Sequence, residues 1–258
     1  MRKMILEKLA SVEVEKSVKI IYAIESGSRS WGFASADSDY DVRFLYLRPL
    51  DQYLRLDRMS DVIDYQLDEV FDINGWDLQK ALRLIASSNP TIMEWLTSRI
   101  VYLESGLFAE VKNFLVGNYF SPRASVYHYL SMAKNNNAEF LRNKDRVSLK
   151  KYLYVLRALL AARWICDNGN QPPILFADLM TAELDVSLKP IVDELLAVKE
   201  RSAERQCGSH ISELDEFIAR NLEDLPQRAE VLPVCRNKSW DELNGIFTDF
   251  VLQAAGRS

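Results

Sequence analysis

Over the first third of the chain the apolar residues fall in short dense runs, and beyond residue 77 they fall at helical spacing. Val18–Glu25 (VKIIYAIE) is apolar and β-branched on both faces, the pattern of a strand buried in the middle of a sheet. Asp41–Leu47 (DVRFLYL) predicts a second strand, stopped by Pro49. Asp61–Leu67 (DVIDYQL) predicts a third, and Val70–Ile73 a short fourth. The first 75 residues thus read as strands joined by loops.

From Asp77 the period lengthens. Leu78, Ala81, Leu82 and Ile85 fall at i, i+3, i+4 and i+7, a helical apolar stripe. Asn89-Pro90 supplies an N-cap and a first turn for a helix running through Leu96. No strand is expected after Gly117. Helices are predicted near 122–143, 148–167, 186–206 and 210–223, with a short one at 240–253 and a turn at Gly169–Pro173. The expected class is α+β: a mixed β-sheet flanked by helices over residues 1–115, then an all-helical C-terminal domain over 116–258. The boundary belongs between about 110 and 120, where the strand pattern has given way to helices.

Composition narrows the chemistry. The 258 residues are 48% apolar and 27% charged, an ordinary globular balance for one large domain or two modest ones. Cys166, Cys207 and Cys235 are scattered without CxxC spacing, which argues against a disulfide framework or structural zinc and suggests small buried hydrophobes. His128 and His210 are the only histidines, a poor basis for His-based triads. The N-terminus has no apolar run of signal-peptide length, and no stretch approaches 18 apolar residues. No membrane association is expected, and the expected compartment is the cytoplasm.

The formal net charge of -5 is unevenly spread. Residues 121–165 hold 9 basic and 2 acidic side chains, while the flanking segments are acidic. The middle segment suits an anion, although the whole molecule would not coat nucleic acid non-specifically.

The stretch that carries chemistry is SGSRSWGFASADSDYDVRFLY, from Ser26 to Tyr46. A buried strand ends at Glu25 and the chain turns through Ser26-Gly27-Ser28. Gly27 permits a backbone angle that other residues avoid and lets a ligand approach closely. Ser28 offers a hydroxyl, Arg29 a charge and Ser30 another donor, so the turn can cradle phosphate. Ten residues on, Asp39 and Asp41 open the next strand two apart. Side chains alternate across a strand, so both carboxylates share a face, with Cα atoms about 6.5 Å apart. Two such carboxylates repel unless a cation neutralises them, and hard oxygen ligands beside phosphates suit a pair of Mg²⁺ ions. Tyr40, Val42, Phe44 and Tyr46 point the other way, into a core. Arg43 lies on the carboxylate face, where it can reach a phosphate or buffer the aspartates as an ion pair. Trp31 and Gly32 shape the turn that follows.

Gly27-Ser28 followed by Asp39-x-Asp41 resembles the motif of the DNA polymerase beta-type nucleotidyltransferases, which include aminoglycoside adenylyltransferases and tRNA nucleotidyltransferases. With GWDLQKAL (Gly75–Leu82), SNPTIMEWL (Ser88–Leu96) and KKYLYVLRALLAARW (Lys150–Trp164), the chain is similar over roughly 18–200 to the RNA repair pathway DNA polymerase beta family. One departure is Ser26, where the broader motif prefers an apolar residue. The resemblance implies a nucleotidyltransferase-type sheet with a helical C-terminal part. It also implies Mg²⁺-dependent transfer of an NMP from an NTP to an acceptor hydroxyl on RNA, protein or a small molecule. The family name points to RNA ends, but the sequence shows no RNA-binding motif.

The resemblance further implies a third carboxylate on a neighbouring strand, beside the attacking hydroxyl. Asp72 in the short fourth strand and Asp77 in the first turn of the next helix are the candidates, with Asp64 behind them. Asp77 has a structural alternative as a favourable charge at a helix N-terminus. In the helical half, Lys150, Tyr154 and Arg157 share a helix face. The resemblance suggests that Lys151, Tyr154 or Arg157 closes over triphosphate or base; the alternative is an ordinary solvated helix face. Two other functions fit part of the pattern. One is a non-catalytic nucleotide-binding regulator on the same fold, and the other is a DxD glycosyltransferase, which needs no upstream Gly-Ser turn.

Overall fold

The computed structural model describes residues 1–201, 207–234 and 239–256. It divides into two compact units. The first holds residues 1–30, 39–119 and the C-terminal helix, and the second holds Trp31–Ser38 and the helices between Phe120 and Cys235.

Five strands form the sheet of the first unit: β1 (Lys19–Glu25), β2 (Tyr40–Leu47), β3 (Val62–Leu67), β4 (Phe71–Asp77) and β5 (Val101–Glu104). Their order is β3-β4-β2-β1-β5. β2 runs antiparallel to β1 and parallel to β4, while β3 and β5 pair antiparallel at the two edges. The sheet is therefore mixed, as its sequence pattern predicts.

Each face of the sheet is covered. On one, α1 (Arg2–Lys16) packs Ile5, Leu9 and Val12 over Ile20, Ala23, Val42, Phe44, Tyr46 and Ile73. On the other, α4 (Leu78–Ala86), α5 (Pro90–Thr97), α6 (Gly106–Tyr119) and α12 (Trp240–Ala255) cover Ile21, Tyr22, Ile24, Leu45 and Leu47. A register shift between Ile20 and Tyr22 turns consecutive residues Ile21 and Tyr22 toward the same helices. Two single turns, α2 (Gly27–Ser30) and α3 (Leu50–Tyr53), follow β1 and β2. Gly75 on β4 accommodates the Phe44 ring, which lies 2.0 Å from where a Cβ would stand.

α1 corrects the reading of the first 75 residues as strands and loops. Its buried stripe is only three residues wide, and Met4, Leu6 and Val14 lie exposed outside it, which blurs the helical period.

The second unit is built on α8 (Leu149–Asn168), buried on nearly every side from Tyr152 to Ile165. Around it pack α7 (Pro122–Phe140), α9 (Phe176–Glu183), α10 (Lys189–Arg201) and α11 (Ser212–Glu230). A 3-10 turn at Val186–Leu188 precedes α10. The helix expected over 186–206 thus divides, and its last part, 202–206, lies outside the described residues. The expectation of no strand after Gly117 is corrected by a two-residue ladder between β6 (Val147–Ser148) and β7 (Cys207–Gly208). Strands this short leave no alternation to read. Cys166 is half-buried and Cys207 is exposed, so Cys207 is no core hydrophobe; Cys235 lies outside the described residues.

The division differs from a single cut after residue 115. α12 returns to the sheet unit because Leu243, Phe250 and Val251 pack there, with the Phe250 ring 6.1 Å from Phe108. Residues 31–38 leave that unit because Phe33 sits in the helical core, where Lys199 Nζ donates to its carbonyl at 2.6 Å. Among the described residues, no helix is long and apolar enough to cross a membrane.

Candidate active site

The site of the first unit assembles where β1 ends and β2 begins. The Ser26 amide donates to Asp41 O at 2.8 Å, so the turn after β1 is tied to the start of β2. Gly27 has φ +56°, and a Cβ there would stand 1.9 Å from Asp41 Oδ2. Both facts require glycine: the backbone is left-handed and the carboxylate takes the space of the missing side chain. Ser28, in the single turn α2, is buried. Arg29 donates from Nε to Asp39 O at 3.0 Å, and its guanidinium lies 3.8 Å from the Tyr40 ring centre. The Gly-Ser turn and the DxD segment are thereby joined by a side chain as well as by the backbone.

Asp39 precedes β2 and is half-buried, while Asp41 is the second residue of the strand. Val42, Phe44 and Tyr46 point into the α1 face, which leaves Asp41 and Arg43 on the opposite face. β4 brings Asp72 to the same place. In the parallel β2–β4 register Asp41 lies opposite Asp72, and Phe71 and Ile73 point to the α1 face. Arg43 sits between the carboxylates. Its Nη2 donates to Asp41 Oδ1 at 2.9 Å and to Asp72 Oδ2 at 2.6 Å. Its Nη1 donates to Asp72 O at 2.7 Å and Val42 O at 3.3 Å.

Asp77 is elsewhere. It lies opposite Tyr46, five residues further along β4, or about 17 Å from Asp72. There it caps α4, accepting from Gln79 N at 2.8 Å and from Tyr53 Oη at 3.0 Å, with Arg48 Nε 3.7 Å away. Burial pushes its carboxyl above the usual range, against those hydrogen bonds. The structure brings Asp72, and not Asp77, to Asp41. Asp64 pairs with Asn74 in the β3–β4 ladder, one pair beyond Gln66–Ile73, and its carboxylate bonds the Asn74 amide.

Glu25 is a residue that the sequence pattern did not single out. It is 1% exposed, accepts the Asp41 amide at 2.9 Å through Oε1, and accepts the Tyr102 hydroxyl through Oε2. Burial pushes it up to about 7, against the Tyr102 and Asp41 hydrogen bonds. Ser98 Oγ donates to its carbonyl at 2.8 Å. The one available signal was a carboxylate closing an otherwise apolar strand.

Lys151, Tyr154 and Arg157 belong to the helical unit. Arg157 is 3% exposed, with its guanidinium 4.2 Å from the Trp31 ring centre. The Tyr154 ring meets Trp31 edge-on at 5.5 Å, and Lys151 Nζ lies 3.8 Å from the Phe140 ring centre. Arg157 is thus an interior residue of its unit, unlike the solvated helix face that its spacing also allowed.

Carboxylates suit a divalent cation, and Asp41 and Asp72 already share one positive charge in the form of Arg43. The donor chemistry fits Mg²⁺. Among the described residues, however, no group of three or more His, Cys, Asp or Glu is arranged to hold a metal ion.

Residues 1–249 match the model of the RNA repair pathway DNA polymerase beta family. The chain is 40% identical over 252 residues to the uncharacterized protein YcgL of Bacillus subtilis (strain 168), covering 97% of this chain and 96% of that one. Among solved structures, a nucleotidyltransferase-like protein from Exiguobacterium sibiricum aligns at 14% identity with a TM-score of 0.32, over 87% of this chain and 74% of that chain.

Proposed function

The chain belongs to the RNA repair pathway DNA polymerase beta family, and from that premise we propose that it transfers an NMP from an NTP to an acceptor hydroxyl. The observation that carries the reading is the register of Asp41 with Asp72 across β2 and β4, beside the Gly27 turn. The hydroxyl oxygen attacks the α-phosphorus, the bond to the α–β bridging oxygen breaks, and pyrophosphate leaves. Gly27 lets Asp41 close against the turn, and Ser28 and the amides of that turn bind the β- and γ-phosphates. Arg29 holds the DxD segment against that turn. Asp41 and Asp72, with Asp39, would hold Mg²⁺, which when bound supplies charge neutralisation for phosphoryl transfer. Asp72 takes the proton of the attacking hydroxyl.

The acceptor is a hydroxyl gripped locally, with an RNA end as the reading the family name favours. A second reading, a nucleotide-binding regulator without turnover, draws support from Arg43, which engages both carboxylates.

Purified protein and its Asp41→Asn variant, given Mg²⁺ and each α-labelled NTP, test the choice. Label transferred to RNA, protein or a small acceptor by the parent alone supports the enzyme. Nucleotide binding without transfer supports the regulator, and equal transfer by both proteins rejects the mechanism.

A further inference from the structure

Arg43 is built as a clamp. Its two terminal nitrogens carry four N–H bonds, and all four have acceptors: Asp41 Oδ1, Asp72 Oδ2, Asp72 O and Val42 O. A phosphate could be bound through these nitrogens only by breaking one of those bonds. The side chain is 16% exposed, against 20% for Asp41 and 29% for Asp72, so the pairs are only partly screened by solvent. The parallel register fixes both carboxylates relative to Arg43, which lies on the same strand as Asp41 and two residues on.

We infer that Arg43 is the resident counter-cation of the Asp41–Asp72 pair, and that a divalent metal ion competes with its Nη2 for Asp41 Oδ1 and Asp72 Oδ2. This rests on the reading of Asp41 and Asp72 as metal-binding groups. Arg43 is then a positioning residue rather than a phosphate ligand. It keeps two neighbouring carboxylates aligned while no metal is bound, when they would otherwise repel. It also sets the metal affinity, because guanidinium and metal compete for Asp41 Oδ1 and Asp72 Oδ2. The site would therefore fill when the nucleotide's own phosphates help to hold the metal, and resist metal alone.

Mn²⁺ titrated into nucleotide-free protein, followed by calorimetry and by the electron paramagnetic resonance of free Mn²⁺, tests this directly. Arg43→Gln is expected to bind Mn²⁺ about tenfold more tightly than the parent or better, since a unit positive charge leaves the site. Its melting temperature is expected to fall in chelator and to recover with Mn²⁺ by more than the parent's does. Arg43→Lys keeps the charge, but one ammonium cannot span all four acceptors, and it should fall between the two. Should Arg43→Gln not fold, the same titration of Arg43→Lys decides. Asp41→Asn, alone and combined with Arg43→Gln, must abolish the tight site. Equal or weaker binding after loss of Arg43, with the parent binding Mn²⁺ at the Asp41-dependent site, overturns the inference and leaves nucleotidyl transfer standing. Absence of an Asp41-dependent Mn²⁺ site in both nucleotide-free proteins overturns the inference, and its absence in the parent with a non-hydrolysable NTP present overturns the metal-dependent reading as well.

Discussion

Asp41 on β2 and Asp72 on β4 stand opposite each other in a parallel pair, and their carboxylates converge on a single nitrogen, Arg43 Nη2, at 2.9 and 2.6 Å. A parallel register is the feature that makes this possible. It brings the beginnings of two strands to the same end of the sheet, so residues 31 apart in sequence present like charges on one face. Such a pair is unfavourable without a cation, and the fold supplies one from β2 itself.

The contrast between Asp72 and Asp77 gives the first prediction. Asp72→Asn is expected to lower nucleotidyl transfer at least about a hundredfold, the range lost with a general base, while the protein stays folded. Asp77→Ala is expected to leave the transfer step intact and to destabilise the protein by about 2 kcal/mol or more. It removes a helix cap and leaves Tyr53 and Arg48 without their buried acceptor. Asp77→Asn keeps a capping side chain and should cost less. Transfer assays beside urea denaturation separate the pair, and loss of activity without loss of stability in Asp77→Ala would reverse the assignment.

Gly27→Ala tests the close approach of the turn to Asp41. The new methyl would meet Asp41 Oδ2, and φ +56° is disfavoured for an L-residue by about 1–2 kcal/mol. Displacing Asp41 by even about 1 Å should cost about a hundredfold in transfer. Far-UV circular dichroism should stay unchanged, because only a single turn is disturbed.

Trp31 tests how the DxD segment is anchored. Residues 31–38 join the Gly-Ser turn to Asp39 in sequence yet pack in the helical unit, with Trp31 against Arg157, Tyr154 and Phe33. Trp31→Ala is expected to cost about 2–4 kcal/mol through lost packing and a lost buried cation–π contact. Turnover is expected to fall with it, since residues 31–38 connect the Gly-Ser turn to Asp39 in sequence. Trp31→Phe, which keeps an aromatic face for Arg157, should recover most of both.

The four strands of the first 75 residues and the helices α4, α5, α7, α8, α11 and α12 were legible from local pattern, whereas β5, α6 and α9 were not among the expected elements. Asn89 and Asp77 cap the helices that follow them, and Val42, Phe44 and Tyr46 face the core as alternation predicts. What sequence could not supply was pairing between distant segments. The choice between Asp72 and Asp77 depends on which strand lies beside β2 and in what register, and a strand's own pattern does not state its neighbour. Glu25 was hidden for a related reason: its partners, Asp41 and Tyr102, come from two other strands. The placement of α12 beside Tyr22 and Phe108 is likewise a long-range fact. Arg157 shows the limit of reading a helix face by charge, since it shares a face with Lys150 and yet is buried against an aromatic ring.

His210 gives a pH dependence whose sign is fixed by geometry. Its Nε2 faces Lys144 O at 2.9 Å and its Nδ1 faces Asp215 Oδ2 at 2.8 Å, so both ring nitrogens meet acceptors. A neutral imidazole can donate from only one of them. The Lys144 carbonyl and the Asp215 carboxylate accordingly raise the His210 pKa above its usual value. Around the ring, Tyr152 of α8 donates to Asp215 Oδ1 at 2.7 Å, and Arg142 and Asn143, just beyond the end of α7, line a cavity with His210 and Asp215. The folded state binds the proton more tightly than the unfolded chain. The resulting stabilisation is complete below the unfolded value of about 6.5 and is lost as pH rises through the higher folded value. The parent is therefore expected to lose stability relative to His210→Asn as pH rises above about 6.5, because the variant cannot take up the proton. Urea midpoints for the two proteins across that rise provide the check. A difference between them that does not change with pH would show that His210 stays neutral in the folded protein, with only one of its two hydrogen bonds formed.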